Sequence, residues 1–317
     1  MLTGHLSNDK LARRFSPSAP SPGYFVIDLL DIRYVRLGTA SLEVADRFAR
    51  EIVGLELARA SHRTRHYRSD QRDHTLVFLE GNPADHTIGF ELRGIAELTA
   101  AAAELSDAGL AVRAGTAAEC EQRRVGAFVN FRDATGNKID LVIEPDRAVH
   151  IYRPPTATGI TGFSHIGLCS TAPRRDERFW TGTLGARISD RIGNAAFLRI
   201  DEIHHKVALI PTTHAGVQHV NHQVAAVDDI MRPWYRLRER GVRILFGPGR
   251  HPTSEAVFLY FQGPDGMTYE FSTGVRTISA AQEAAYRPRQ LPAAPASFCM
   301  WGALPDIDEF RTNDSRP

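Results

Sequence analysis

An α+β protein of four βαβββ modules, paired into two half-open barrel domains, is the fold class this 317-residue sequence predicts. Three observations lead there. The segments "FVNFRDATGNKIDLV", from Phe128, and "FLYFQGPDGMTYEFS", from Phe258, repeat each other at an offset of 130: Phe128 matches Phe258, Phe131 matches Phe261, Gly136 matches Gly266 and Asp140 matches Glu270. Upstream, "RYVRLGTASLEVADRFAREIVGLEL" aligns with "SHIGLCSTAPRRDERFWTGTLGARI", and "HTIGFELRGIAELTAAAAELSDAGLAV" with "HVNHQVAAVDDIMRPWYRLRERGVRIL". Each of the four reads as a strand, a helix and a glycine stop. A whole domain is duplicated, and within each copy the strand–helix–strands unit recurs twice. One such sheet is too small to close alone, so paired modules are expected to curl around a cavity.

In chain order, residues 1–30 read as a flexible Pro/Ser-rich leader that lacks the apolar stretch of a signal peptide. Residues 31–146 form the first domain, 147–160 a linker, 161–276 the second domain and 277–317 a tail containing the Pro-rich "RPRQLPAAPASFCMWGALP". In both repeated hairpins a glycine, Gly136 or Gly266, supplies the positive φ of the turn. With 38 basic and 37 acidic residues, net charge +1, the composition offers no bulk argument for nucleic acid or an anionic membrane. No run of about 18 apolar residues exists to span a bilayer. Cys120, Cys169 and Cys299, an odd and widely spaced set, suggest a reduced, cytoplasmic protein in which they are small core residues. Histidine is the unusual component: eight of the thirteen lie between His150 and His251.

Two of these stand three apart in "GVQHVNHQV", residues 216–224, among Val217, Val220 and Val224, which argue for a strand. Side chains alternate faces in a regular strand, so His219 and His222 cannot both reach one metal. Alternation alone does not say which of them faces the cavity.

Four βαβββ modules resemble the vicinal oxygen chelate superfamily, and the C-terminal half resembles its ring-cleaving branch, the type I extradiol dioxygenases. The resemblance covers about residues 31–276, with specific motifs in the second half. It implies a metal site in the C-terminal barrel, held by His165 of "FSHIGL", His219 of "HVNHQV" and Glu270 of "TYEFS". The family's ligand histidine opens a strand with a Val five residues on, which fits His219 and Val224 and leaves His222 on the outer face, solvated or core-packed. Two imidazoles and a carboxylate suit Fe(II), with Mn(II) possible. The resemblance further implies His205 of "IHHKVAL" as the acid–base residue, and His251 and Tyr260 as groups that bind and orient the substrate. His204 and His205, being adjacent, are expected to face oppositely, so that one of them lines the cavity. Tyr260 and Glu270, ten apart across a turn, are expected on one face, whereas Ser254 departs from an Asp common in biphenyl-diol enzymes.

The first domain carries Tyr34, His86 and Asp140 at the triad's equivalent positions and is expected to lack a complete metal site. The implied reaction is extradiol cleavage of a catechol by O₂ to a muconic semialdehyde-type product, in aromatic compound degradation. In it His205 accepts a phenolic proton and later returns one to oxygen. Gly167 is expected to leave space beside the metal, with Phe163, Phe246 and Phe258 as apolar walls and Arg243 and Arg250 near the loop for any carboxylated substrate. A catechol-type molecule and O₂ are the expected partners, with no nucleic acid or membrane, and assembly as a homo-oligomer is expected. Two rivals share the superfamily: a hydroxyphenylpyruvate-type keto acid dioxygenase, and a ligand-sequestering protein of the bleomycin-resistance type.

Overall fold

The computed structural model describes residues 26–311. Most of the expected leader therefore lies outside the described residues. Its last five residues are anchored, with Ile27 and Leu29 buried and the Ile27 amide donating to the Thr183 carbonyl at 2.9 Å.

Four strand–helix–strands units follow. The first is β1 (Asp31–Thr39), α1 (Leu42–Arg47), β2 (Glu56–Ala60), β3 (Thr64–Arg68) and β4 (Leu76–Glu80). The second is β5 (His86–Glu91), α2 (Ile95–Asp107), a short β6 (Arg113–Ala114), α3 (Ala117–Arg123), β7 (Ala127–Arg132) and β8 (Lys138–Ile143). The third is β9 (Ile160–Ser170), α4 (Pro173–Gly182), β10 (Arg187–Ile192), β11 (Ala195–Arg199) and β12 (Val207–Pro211). The fourth is β13 (Val217–Val224), α5 (Asp228–Glu239), β14 (Ile244–Arg250), β15 (Val257–Gln262) and β16 (Thr268–Thr273). In each unit the last strand returns parallel to the first, and two units join antiparallel through their first strands, β1 with β5 and β9 with β13. The result is an eight-stranded and a nine-stranded mixed sheet. Gly136 (φ 104°) and Gly266 (φ 80°) supply the expected left-handed turn positions.

Alternation along these strands divides two environments. Ile166, Leu168, Val220, Leu259, Phe261, Tyr269 and Phe271 face a core that runs continuously through both halves. Phe258 and Tyr260 belong to a separate cluster inside the second barrel. The shared core is built by exchange. Trp180 of α4 meets Phe90 of β5 edge-on at 5.4 Å between centroids, and Phe48, just after α1, packs on Tyr269 of β16 at 5.0 Å. Each half's first helical segment thus brings an aromatic ring to the other half's sheet.

The Pro-rich segment after β16 is ordered against the second barrel. It forms α6 (Ala280–Glu283), then β17 (Arg289–Leu291), which adds parallel to β10, then α7 (Pro295–Phe298) and a 3₁₀ turn (Asp308–Phe310). Ile307 and Phe310 are buried in the second barrel's inner cluster. No helix among the described residues is long and apolar enough to cross a membrane.

Candidate metal centre

Three inward positions of the second barrel bring His165, His219 and Glu270 together, with one ligand atom from each lying within 4.8 Å of the others. His165 is in the middle of β9, His219 is near the start of β13, and Glu270 stands on β16 beside both. Among the described residues this is the one cluster of three such groups placed to hold an ion. His219 Nδ1 bonds the Gln218 side-chain oxygen, so that nitrogen carries the proton and Nε2 keeps its lone pair. His219 Nε2 and Glu270 Oε2 are both buried without an aligned hydrogen bond, although His165 Nε2 stands 3.1 Å from that oxygen. Orphaned acceptors of this kind are costly unless something satisfies them. A divalent metal would satisfy both, so the donor set fits one. Burial pushes the Glu270 carboxyl up, but the imidazoles of His165, His251 and His219 outweigh it and keep the group ionised. Burial pushes His219 down to about 3, which keeps it neutral.

His205 lies against this set, its ring 4.1 Å from that of His165 between centroids. The expected alternation of His204 and His205 does not hold, because both precede β12 and neither is in a strand. Instead the rings meet, with His204 Nδ1 3.0 Å from His205 Nδ1 and His204 Nε2 3.0 Å from Asp190 Oδ2. Asp190 also takes Arg289 Nε at 3.0 Å and Arg276 Nη2 at 3.2 Å. Burial pushes this carboxyl up, but His204 and Arg289 together bring it down to about 2. The proton order follows from an ionised Asp190. His204 donates through Nε2–H, and burial lowers its pKa; in its neutral form it accepts at Nδ1. In that arrangement His205 donates from Nδ1–H and its Nε2 keeps its lone pair. Sequence reasoning missed Asp190, although a charge between Ile188 and Ile192 on an alternating strand was a signal of a buried partner.

His251 and Tyr260 complete the ring around Glu270. Tyr260 lies directly opposite Glu270 in the β15–β16 ladder, on one face as expected. His251 donates from Nδ1 to the Phe298 carbonyl at 2.8 Å, leaving Nε2 to accept from Tyr260 OH at 3.3 Å. The tail covers this ensemble: Phe310 sits 6.0 Å from Tyr260 and 6.5 Å from His219 between ring centroids.

Several expectations change in the folded chain. His222 is fully buried and stacks edge-on with Phe163 at 5.8 Å, away from the centre, which is the core-packed fate. Phe163 therefore walls no substrate space, whereas Phe246 and Phe258 do lie in the inner cluster with Tyr260. Gly167 is small because His219 lies against it, since a Cβ there would stand 2.3 Å from His219 Nδ1. Arg243 pairs with Asp306 of the tail, and Arg250 bonds the Glu255 carbonyl, both at the surface. Ser254 is buried, with its hydroxyl unpartnered. In the first barrel, Asp140 accepts from Tyr34 OH at 2.8 Å and from Arg123 Nε at 2.7 Å, and His86 bonds Asn137 at 3.1 Å. A guanidinium, not a metal, neutralises that carboxylate.

The profile of the Glyoxalase/Bleomycin resistance protein/Dioxygenase superfamily matches residues 162–271. The chain is 26% identical over 274 residues to the iron-dependent extradiol dioxygenase of Rhodococcus jostii (strain RHA1), covering 80% of this chain and 91% of that one. It is 24% identical over 267 residues to the manganese-dependent 2,3-dihydroxybiphenyl 1,2-dioxygenase of Geobacillus genomosp. 3, covering 76% and 84%. Its fold matches that of homoprotocatechuate 2,3-dioxygenase from Brevibacterium fuscum, solved with 3,4-dihydroxyphenylacetate, at a TM-score of 0.82 and 19% identity, covering 92% and 94%.

Proposed function

We propose that the chain is an extradiol dioxygenase of the glyoxalase/bleomycin resistance/dioxygenase superfamily, which its second half resembles, and that it cleaves a catechol-type diol beside its two hydroxyls, at a single divalent metal held by His165, His219 and Glu270. The observation that carries this reading is the convergence of two buried acceptors, His219 Nε2 and Glu270 Oε2, neither in an aligned hydrogen bond, beside the rings of His165 and His205. The donor set favours Fe(II), with Mn(II) the alternative. A ring-opened muconic semialdehyde-type acid is the expected product.

When bound, the metal supplies open positions for a vicinal diol and O₂, and a path for electrons between them. The chain's own groups handle protons and orientation. His205 Nε2 takes a phenolic proton as the diol enters, with its Nδ1–H held on His204 so that the ring keeps the same nitrogen free. The proton on Nε2 is then available to an oxygen of the substrate as the O–O bond breaks. Tyr260 remains protonated, since burial and the charge of Glu270 raise its pKa well above the ordinary tyrosine value. Its O–H and the Nε2 of His251 are placed to orient the substrate oxygens. Phe246, Phe258 and Phe310 give the ring an apolar surround. A hydroxyphenylpyruvate-type reading draws no support from the tail, whose helices among the described residues are four residues long.

The test is anaerobic loading with Fe(II) or Mn(II), followed by a single turnover with O₂ across a panel of substituted catechols and hydroxyphenylpyruvate. Yellow ring-opened product from a catechol, with Fe(II), is expected. Turnover of the keto acid alone would overturn the reading, and activity restored only by Mn(II) would reverse the metal.

A further inference from the structure

The first barrel also has a polar interior, and it contains an imbalance of charge. Arg36, on β1, is 6% exposed, and its Nη1 is buried with no hydrogen-bond partner. Nearby Arg123 is also buried, and the one buried carboxylate between them, Asp140, is already occupied. Its Oδ2 accepts from Arg123 and Tyr34, and its Oδ1 from Asn130 at 2.7 Å. Two buried guanidinium groups therefore share one buried carboxylate; the next nearest, the half-buried Glu119, is already paired with Arg113. A buried charge without a counter-ion is strongly disfavoured, so the arrangement calls for a further anion.

There is room for it. A cavity of about 220 Å³ is lined by Arg36, Arg123, Lys138, His86, Thr87 and Leu79. Lys138 reaches it from β8 while pairing with Asp85 at 3.0 Å, and Glu80 and Asp85 stand exposed at its rim. These two rim carboxylates disfavour a multiply charged anion. A planar fork is suited to a carboxylate, which it can bind through two parallel hydrogen bonds. The volume far exceeds that of a halide.

The duplication explains the location. Arg36 occupies the position matched by Gly167 in the second barrel, where the residue yields to His219. The two copies thus place opposite chemistries at one site of the fold: a cation-binding set in the second, a cationic set in the first. We propose that the first barrel is a binding site for a small organic carboxylate of about ring size, held by Arg36 with Arg123 and Lys138.

Benzoate is the probe, added to the metal-loaded full chain at constant ionic strength made up with chloride. At about a hundredfold excess over its Kd, benzoate should raise the unfolding midpoint by roughly 4–10 °C, and benzyl alcohol should not. Arg36→Met should lose this response while retaining catechol turnover, and Arg36→Lys should weaken it. His219→Ala should keep it, which separates the site from the metal centre and from the proposed reaction. Equal stabilisation of wild type and Arg36→Met, loss of the response in His219→Ala, or equal protection by chloride would each overturn the proposal. Should both Arg36 variants fail to fold, wild-type crystals grown with 4-bromobenzoate decide it. A bromine peak in the first barrel is expected, and a peak confined to the second barrel would overturn it.

Discussion

At the scale of single residues, His222 and His204 put the register argument to work. Both ring nitrogens of His222 are buried and unpartnered, and burial pushes its pKa down to about 3. In the unfolded chain it titrates near the ordinary value, roughly 6.5. The unfolded state therefore binds the extra proton between these limits, and stability is lost as pH falls from about 6.5 towards 3. His222→Phe should flatten that dependence by about 1.4 kcal/mol per pH unit between pH 4 and 6. At pH 7 it should stabilise the fold by about 1–3 kcal/mol, by removing orphaned polar atoms, with bound metal unchanged. Urea unfolding at several pH values, with metal analysis, tests all three statements, and loss of metal would place His222 in the ligand set. His204→Phe removes the acceptor that holds the His205 Nδ1 proton. Turnover should fall by about 10²–10⁴-fold with metal and catechol binding retained. An unimpaired His204 variant would show that His205 needs no such support.

At the scale of elements, the inner and outer faces of β9, β13, β15 and β16 were legible because alternation and the 130-residue repeat agree on them. The His204–His205 pair was not, since nothing in "IHHKVAL" marks the strand as opening only at Val207. The tail was illegible for a different reason. Phe298, Ile307 and Phe310 have no helical or strand period, and proline-rich sequence without periodicity reads as loop. The packing of Phe310 over Tyr260 and His219, with Phe298 stacked on Phe310, depends on where the barrel's mouth lies, which is tertiary information. The segment should control metal exchange. Phe310→Ala should speed loss of metal to an added chelator by about 10²-fold or more, the equivalent of some 3 kcal/mol of lost packing. Arg243→Ala breaks only an exposed ion pair to Asp306, worth about 0–1 kcal/mol, and should change that rate less than about fivefold. Equal rates in wild type and Phe310→Ala would mean that the metal leaves by another route.

At the scale of the whole molecule, the exchanged aromatic contacts bind the halves into one cooperative unit. Trp180→Ala, in the second half, removes the ring that covers Phe90 of the first and should cost about 3–5 kcal/mol. That loss should appear in both sheets at once, as faster amide hydrogen exchange in β5 as well as β9 within a single unfolding transition. Two separate transitions would contradict it. The same packing says something about ancestry. Phe90 of the first sheet and Tyr269 of the second are each covered by an aromatic brought from the other copy. A single unduplicated half would have left that face wet unless another molecule of the same kind covered it. The duplication thus fits descent from a unit that paired with a second copy of itself, its shared face becoming the internal core once the two were joined. Tethered copies could then diverge, one carrying His165, His219 and Glu270 where the other carries Tyr34, His86 and Asp140.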